Sequence, residues 1–210
     1  MRPVLILASA LLAILIGCPV QCQTADSPAI TFGEPQIQYC DANSYLAFAK
    51  VHVPVTFSNR TNNNMLLATL LGPREEVSVS DVSGTEIYRP DIQTFVTEKP
   101  PAPGKPPESR MFQTIGPGGT AQRQFDFSFQ VSKNSAHRVG STPTPGTYLV
   151  SASRPAWPFS DDAPQIIEQT KTAWRRYGTL VTSDVRIKDL RIQITLPENL
   201  PSCHSPGGKS

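Results

Sequence analysis

The chain has 210 residues, a formal net charge of +2 and 17% charged residues. A balance this close to neutral lacks the basic footprint of a nucleic-acid binder, and no nucleic-acid partner is expected. Proline is the outlier, at 21 residues, and its clusters forbid helix where they fall.

The chain opens with Arg2, an apolar run from Val4 to Ile16, then Gly17 and Cys18. One positive charge, a short apolar stretch and a small residue form the pattern of a secretory signal peptide. The run is shorter than the roughly 20 apolar residues a membrane span needs. The expected location is therefore extracytoplasmic: secreted, periplasmic or lipid-anchored. Two exits stay open. Cleavage after Val20-Gln21-Cys22 makes 1–22 the signal peptide and 23–28 a flexible tether. Alternatively, Leu15-Ile16-Gly17-Cys18 resembles the lipobox of bacterial lipoproteins, whose cysteine becomes the first mature residue and carries lipid. That resemblance implies a leader ending at 17, lipidation at Cys18, and membrane contact only through this anchor. Pro19 departs from the small residue usual after the lipobox cysteine. Cleavage after Cys22 leaves Cys40 and Cys203 as an even pair, which suits an oxidising compartment. Cys40 falls near the first strand and Cys203 after the last, so a disulfide between them would staple the ends of the domain. Neither cysteine has a partner at metal-ligand spacing, and no metal or cofactor is expected.

The body reads as strands. Val51, Val53, Val55 and Phe57 alternate with His52, Pro54, Thr56 and Ser58, giving one apolar face. The turn-forming cluster Asn59 to Asn64 ends that run, and Met65 to Leu71 follows as a short continuous apolar stretch. Val77 and Val79 alternate again, and Asp81-Val82-Ser83-Gly84 predicts a hairpin turn into Glu86-Ile87-Tyr88. Ile92 to Thr97 extends the sheet up to the proline cluster Lys99 to Pro107, which reads as a long extended loop. Met111 to Ile115 predicts a short strand, Gly116-Pro117-Gly118-Gly119 a hairpin turn, and Phe125, Phe127, Phe129 and Val131 the clearest alternation in the chain. Pro145-Gly146 turns into Thr147 to Ala152. After one helix, strands hold Leu180 and Val181, then Val185 and Ile187, then Leu190, Ile192, Ile194 and Leu196. The helix is expected near 162–177. Asp161 or Asp162 can cap it, Pro164 suits its first turn, and Ile166, Ile167, Thr170 and Trp174 fall near one face. Lys171, Arg175 and Arg176 lie late, where cations complement the helix dipole, and Gly178 is a natural stop.

Many short strands separated by turns argue for an all-β fold, an antiparallel sandwich over 29–203 with one inserted helix and a disordered tail over 204–210. Pro145-Gly146-Thr147-Tyr148-Leu149-Val150 resembles the penultimate strand of bacterial immunoglobulin-like domains, and Gly116 to Thr120 with the Phe125 alternation resembles the turn and strand before it. With Asp81 to Tyr88, this order is also similar to the small bacterial proteinase-inhibitor family that has an immunoglobulin-like fold. The resemblance implies the sandwich and, as an alternative function, proteinase inhibition; no inhibitory residue carries over.

No catalytic constellation stands out, and no enzymatic role is expected. His52, His137 and His204 are scattered outside any metal or protease motif. Asn59-Arg60-Thr61 matches the glycosylation acceptor pattern in a predicted turn. The leading candidate binding surface is Arg154-Pro155-Ala156-Trp157-Pro158-Phe159, where prolines stiffen the loop and Trp157 and Phe159 offer contact area at low entropy cost. The other reading is that both rings tuck under the helix and seal the core. Trp174, Arg175, Arg176 and Tyr177 form a second candidate patch, against a core-facing Trp flanked by solvated arginines. The expected role is a non-catalytic interaction module that binds another extracytoplasmic protein through loops. An envelope hydrolase is a more remote alternative.

Overall fold

The computed structural model describes residues 27–72, 74–91, 93–94, 100, 104–159 and 163–203. The leader, Cys18, Cys22, Asp161, Asp162, His204 and the tail lie outside them. In chain order the elements are β1 (Ala29–Phe32), β2 (Gln36–Asp41), β3 (Leu46–Ser58), β4 (Met65–Ala68), β5 (Arg74–Ser80), β6 (Glu86–Tyr88), β7 (Gln93–Thr94), β8 (Phe112–Ile115) and β9 (Thr120–Ser132). A 3-10 turn (Ser135–His137), β10 (Gly146–Arg154), α1 (Pro164–Trp174), β11 (Thr179–Leu180) and β12 (Val185–Ile194) complete them.

The described residues are mainly strand, and all sheet pairings are antiparallel except β4 with β11. In the first sheet β3 is central. Strands β1 and β2 follow one another along one of its edges, and β9 runs the length of the other, from Leu46↔Ser132 to Ser58↔Thr120. The second sheet has the order β12-β10-β5-β6, with β7 also paired to β5. The third is β11-β4-β8. The alternation read from the sequence sets these faces. Val51, Val53, Val55 and Phe57 of β3 point inward with Phe125, Phe127, Phe129 and Val131 of β9. They meet Val77 and Val79 of β5, Val150 and Ala152 of β10, and Ile187, Ile192 and Ile194 of β12 in one apolar core. A second cluster holds Leu66, Ala68, Phe112, Trp157, Phe159, Trp174 and Leu180 between the third sheet and α1.

Several expectations are corrected. The phase break between Ile187 and Leu190 reads as two strands, yet β12 is continuous. Its pairing with β10 shifts between Val150↔Leu190 and Ala152↔Ile187, so β12 carries one extra residue there. Asp189 absorbs it at φ 52°, and its N–H donates to Ser151 Oγ at 3.1 Å. Gly116 to Gly119 is a turn, with Gly119 N–H donating to the Gly116 carbonyl and Gly118 at φ 72°. It is not a hairpin, because β8 pairs with β4 and β9 with β3, so the chain changes sheets at this point. The N-cap of α1 is Ala163 rather than an aspartate, and no side chain caps it; Pro164 holds the first helical position. Asn59 is buried. Its Nδ2 donates to the carbonyls of Asn63 (2.8 Å) and Ile115 (2.9 Å), and its Oδ1 accepts from Thr61. The glycosylation acceptor pattern is therefore a turn lock with no room for a glycan in the folded chain.

Cys40 and Cys203 form a disulfide across a separation of 163 residues. Asp41 N–H donates to the Pro201 carbonyl at 2.7 Å and Cys203 N–H to the Asp41 carbonyl at 3.1 Å, so the last described residues lie along the end of β2.

Candidate functional site

The loop after β10 does not present its aromatics. Trp157 and Phe159 are each 1% exposed. Their rings meet at 4.9 Å and 65°, Phe159 reaches Phe112 at 6.1 Å, and Phe112 stands edge-on to Trp174 at 4.9 Å and 82°. These four rings seal the space under α1, which is the second of the two placements the sequence left open. Two hydrophobic rings and a third from α1 remove more apolar area from water by stacking together than by standing in solvent. Arg154 braces the same loop: its Nε and Nη2 donate to the Gly72 carbonyl at 3.1 and 2.9 Å, and Nη1 to the Asp126 carbonyl at 3.4 Å. Gly72 N–H donates to the Pro155 carbonyl at 2.6 Å, and a Cβ at Gly72 would overlap the Trp157 carbonyl oxygen. Only a residue without a side chain admits that approach.

The end of α1 divides in the same way. Trp174 is fully buried, and its Nε1 donates to the Lys105 carbonyl at 2.7 Å at the close of the proline-rich loop. Arg175 and Arg176 are exposed, the Arg176 guanidinium 4.8 Å from the centre of the Tyr177 ring.

The surface the strands do assemble lies on the outer face of the second sheet. Inward Val77 and Val79 force Glu76 and Ser78 outward on β5; inward Val150 and Ala152 do the same for Ser151 and Ser153 on β10, and Ile187 for Arg186 and Lys188 on β12. Registry sets Ser78 opposite Ser151, and Ser153 between Glu76 and Arg186. The result is an open trough of about 640 Å³ with a serine floor. Arg74, Arg89, Arg186 and Lys188 line it, and Pro155, Trp157 and Ile167 wall one end. Three of the cations are held in place: Arg74 by Glu76 (2.8 Å), Arg89 by Glu86 (2.6 Å) and Arg186 by Asp184 (2.8 Å). The hydrogen bonds that Arg89 donates to Glu86 and Arg186 to Asp184 hold both guanidinium groups above their ordinary range. Lys188 has no ion pair with a described residue.

On the opposite outer face, His52 Nδ1 lies 2.7 Å from Asp126 Oδ1 where β3 and β9 pair. No hydroxyl or thiol of a described residue hydrogen-bonds His52. Among the described residues no cluster of three His, Cys, Asp or Glu side chains could hold a metal ion. Comparison with protein-family models and with curated proteins finds no match for this chain.

Beneath the trough, Glu75 is a buried carboxyl on β5. Its Oε1 accepts from Ser128 N–H of β9 at 3.2 Å, which occupies a donor on the open edge of that strand. Burial pushes its pKa above the ordinary carboxylate range; the Ser128 hydrogen bond and Arg154 pull the other way without cancelling it. A raised folded-state pKa means the native chain binds more protons than the unfolded chain as pH rises above about 4.5, so stability falls across that window and is level beyond it. Glu75→Gln keeps an acceptor for Ser128 and removes the titration. The stability advantage of the variant over wild type is expected to grow as pH rises from 4 through the raised pKa. Urea unfolding at several pH values measures it, and an advantage that shrinks with pH contradicts the assignment.

Proposed function

We propose that this chain is an exported, non-catalytic binding module with an immunoglobulin-like sandwich, and that it recognises another extracytoplasmic protein through the trough on its second sheet. Export is supported by the leader pattern and by the Cys40–Cys203 bridge, since disulfides persist in oxidising compartments. The immunoglobulin-like reading is supported by two antiparallel sheets whose apolar faces share one core.

The observation that carries the recognition surface is the set of arginines fixed around a serine floor. Small residues at Ser78, Ser151 and Ser153 let a partner's main chain approach the sheet closely. Arg74, Arg89 and Arg186 stand in geometries already set by their carboxylates, so less side-chain entropy is lost when they bind. A small-molecule pocket is mostly apolar and enclosed. This trough is open and rimmed by both signs of charge, which suits an extended polypeptide with charges of its own. The loop singled out in the sequence takes part as an end wall through Pro155 and Trp157, not as a projecting finger.

Placing a photo-crosslinking amino acid at Ser78 tests the proposal. Ser78 is half-buried at the trough floor, and its hydroxyl makes no hydrogen bond to a described residue. Gln124, exposed on the outer face of the first sheet, serves as the control. In cells that make the protein, irradiation is expected to give a discrete protein adduct from position 78 and none of that mass from position 124. The same adduct from both positions, or none from 78, rejects the trough. Proteinase inhibition is read separately, by incubation with a protease panel, and a slowed enzyme identifies that alternative.

A further inference from the structure

Arg175 and Arg176 follow the last helical residue and line a second cavity of about 840 Å³, together with Lys171, Tyr177, Asn63 and Ser27. Among the described residues its lining includes three cations and no carboxylate. Lys171 is paired with Glu168 one turn back, at 2.7 Å. Arg176 rests over Tyr177, and Arg175 has no ion pair with any described residue. Cations at the end of a helix offset its dipole, but the effect is confined to the last turn and leaves these two guanidinium groups open to an external anion.

A second observation points to a membrane surface. Ser27, two residues before β1, lines this cavity, so the chain enters the fold at the cationic face. Eight residues lie between Cys18 and Ser27, and nine steps of at most about 3.6 Å keep the lipobox cysteine within roughly 32 Å of Ser27. We propose that this face docks on an anionic bilayer, with Lys171, Arg175 and Arg176 meeting acidic lipid headgroups. With Cys18 as the lipidated first mature residue, its anchor brings this side of the domain to a membrane, and the basic cluster holds it there. The proposal shares only the export reading with the preceding section. The trough plays no part in it, so either can fail alone.

The test uses the processed protein secreted from its own leader, floated with vesicles of phosphatidylcholine alone or containing phosphatidylglycerol. The readout is the ratio of binding to anionic over neutral vesicles, which cancels any contribution from an acyl chain. Each basic residue at an anionic surface multiplies binding roughly fivefold, so the wild-type ratio is expected at about tenfold or more at low salt, collapsing at high salt. Arg175→Ser with Arg176→Ser is expected to bring the ratio near one. Arg175→Lys with Arg176→Lys keeps it, since a bilayer surface reads charge rather than fork geometry. A wild-type ratio of one overturns the proposal, as does a serine variant that matches wild type. Loss of the preference in inorganic phosphate at constant ionic strength also overturns it, by identifying a free-phosphate site. Both arginines are exposed, so the variants are expected to melt with wild type; if the serine variant does not fold, the salt dependence and the lysine variant still decide.

Discussion

Replacing Cys40 and Cys203 together by serine is expected to cost about 5 kcal/mol of stability. The bridge closes a loop of 163 residues, and the chain-entropy relation gives that figure for a loop this long. Domains of this size are stable by roughly 5–15 kcal/mol, so the loss is a third of the total or more. With a urea dependence of about 2 kcal/mol per molar, the unfolding midpoint is expected to fall by about 2.5 M. The fold itself is expected to survive, because the core between β3, β9, β5, β10 and β12 contains neither cysteine. What frays is the C-terminal end: the Asp41–Pro201 and Cys203–Asp41 hydrogen bonds lose their clamp, beside the Lys133–Asp41 ion pair at 2.8 Å. Unfolding wild type with and without reductant gives the same comparison without a mutation. An unchanged midpoint in both experiments contradicts the role assigned to the bridge.

Trp174→Ala is expected to cost about 4 kcal/mol, within the range for emptying a buried tryptophan site. Trp174 is fully buried, stands edge-on to Phe112, and ties α1 to the proline-rich loop through the Lys105 carbonyl. Trp174→Phe keeps much of the apolar contact and loses the indole donor, so its cost is expected at about 1–2 kcal/mol. The damage is expected to be local. Trp174 belongs to the smaller cluster with Leu66, Phe112, Phe159 and Leu180, separate from the main core. Hydrogen exchange of the alanine variant should accelerate in α1, β4, β8 and β11 while β3 and β9 stay protected. Equal acceleration across all of them would show one cooperative core and contradict that division.

The main strands are legible in the sequence because a half-buried antiparallel strand has period two and little else in the chain imitates it. Phe125 to Val131 and Val51 to Phe57 fall in that class, and they turn out to be paired neighbours. The short edge strands β1 and β2 are not legible, since Gln36-Ile37-Gln38-Tyr39 packs against the core only through partly buried side chains. The bulge at Asp189 reverses the phase of β12, and a reversal of phase is indistinguishable from a strand boundary until the partner strand is known. The disulfide is legible because cleavage after Cys22, one of the two exits, leaves only Cys40 and Cys203. The loop from Arg154 to Phe159 is legible as special but not in its direction. A proline-aromatic segment has the same composition whether it faces a partner or Phe112 and Trp174. The trough is not legible at all: Arg74, Ser151 and Arg186 meet only through the order β12-β10-β5, and nothing local encodes which strands are neighbours.

That the trough is the recognition surface is the central claim, and an obstruction at its floor tests it most directly. Ser78→Trp fills the space between β10 and the arginines while leaving inward Val77 and Val79 in place. The measurement is the affinity of wild type and variant for the protein crosslinked through position 78, with melting temperatures recorded alongside. The account predicts a loss of at least about tenfold, equivalent to roughly 1.4 kcal/mol, with melting within a few degrees of wild type. Undiminished affinity in a folded Ser78→Trp variant would contradict it.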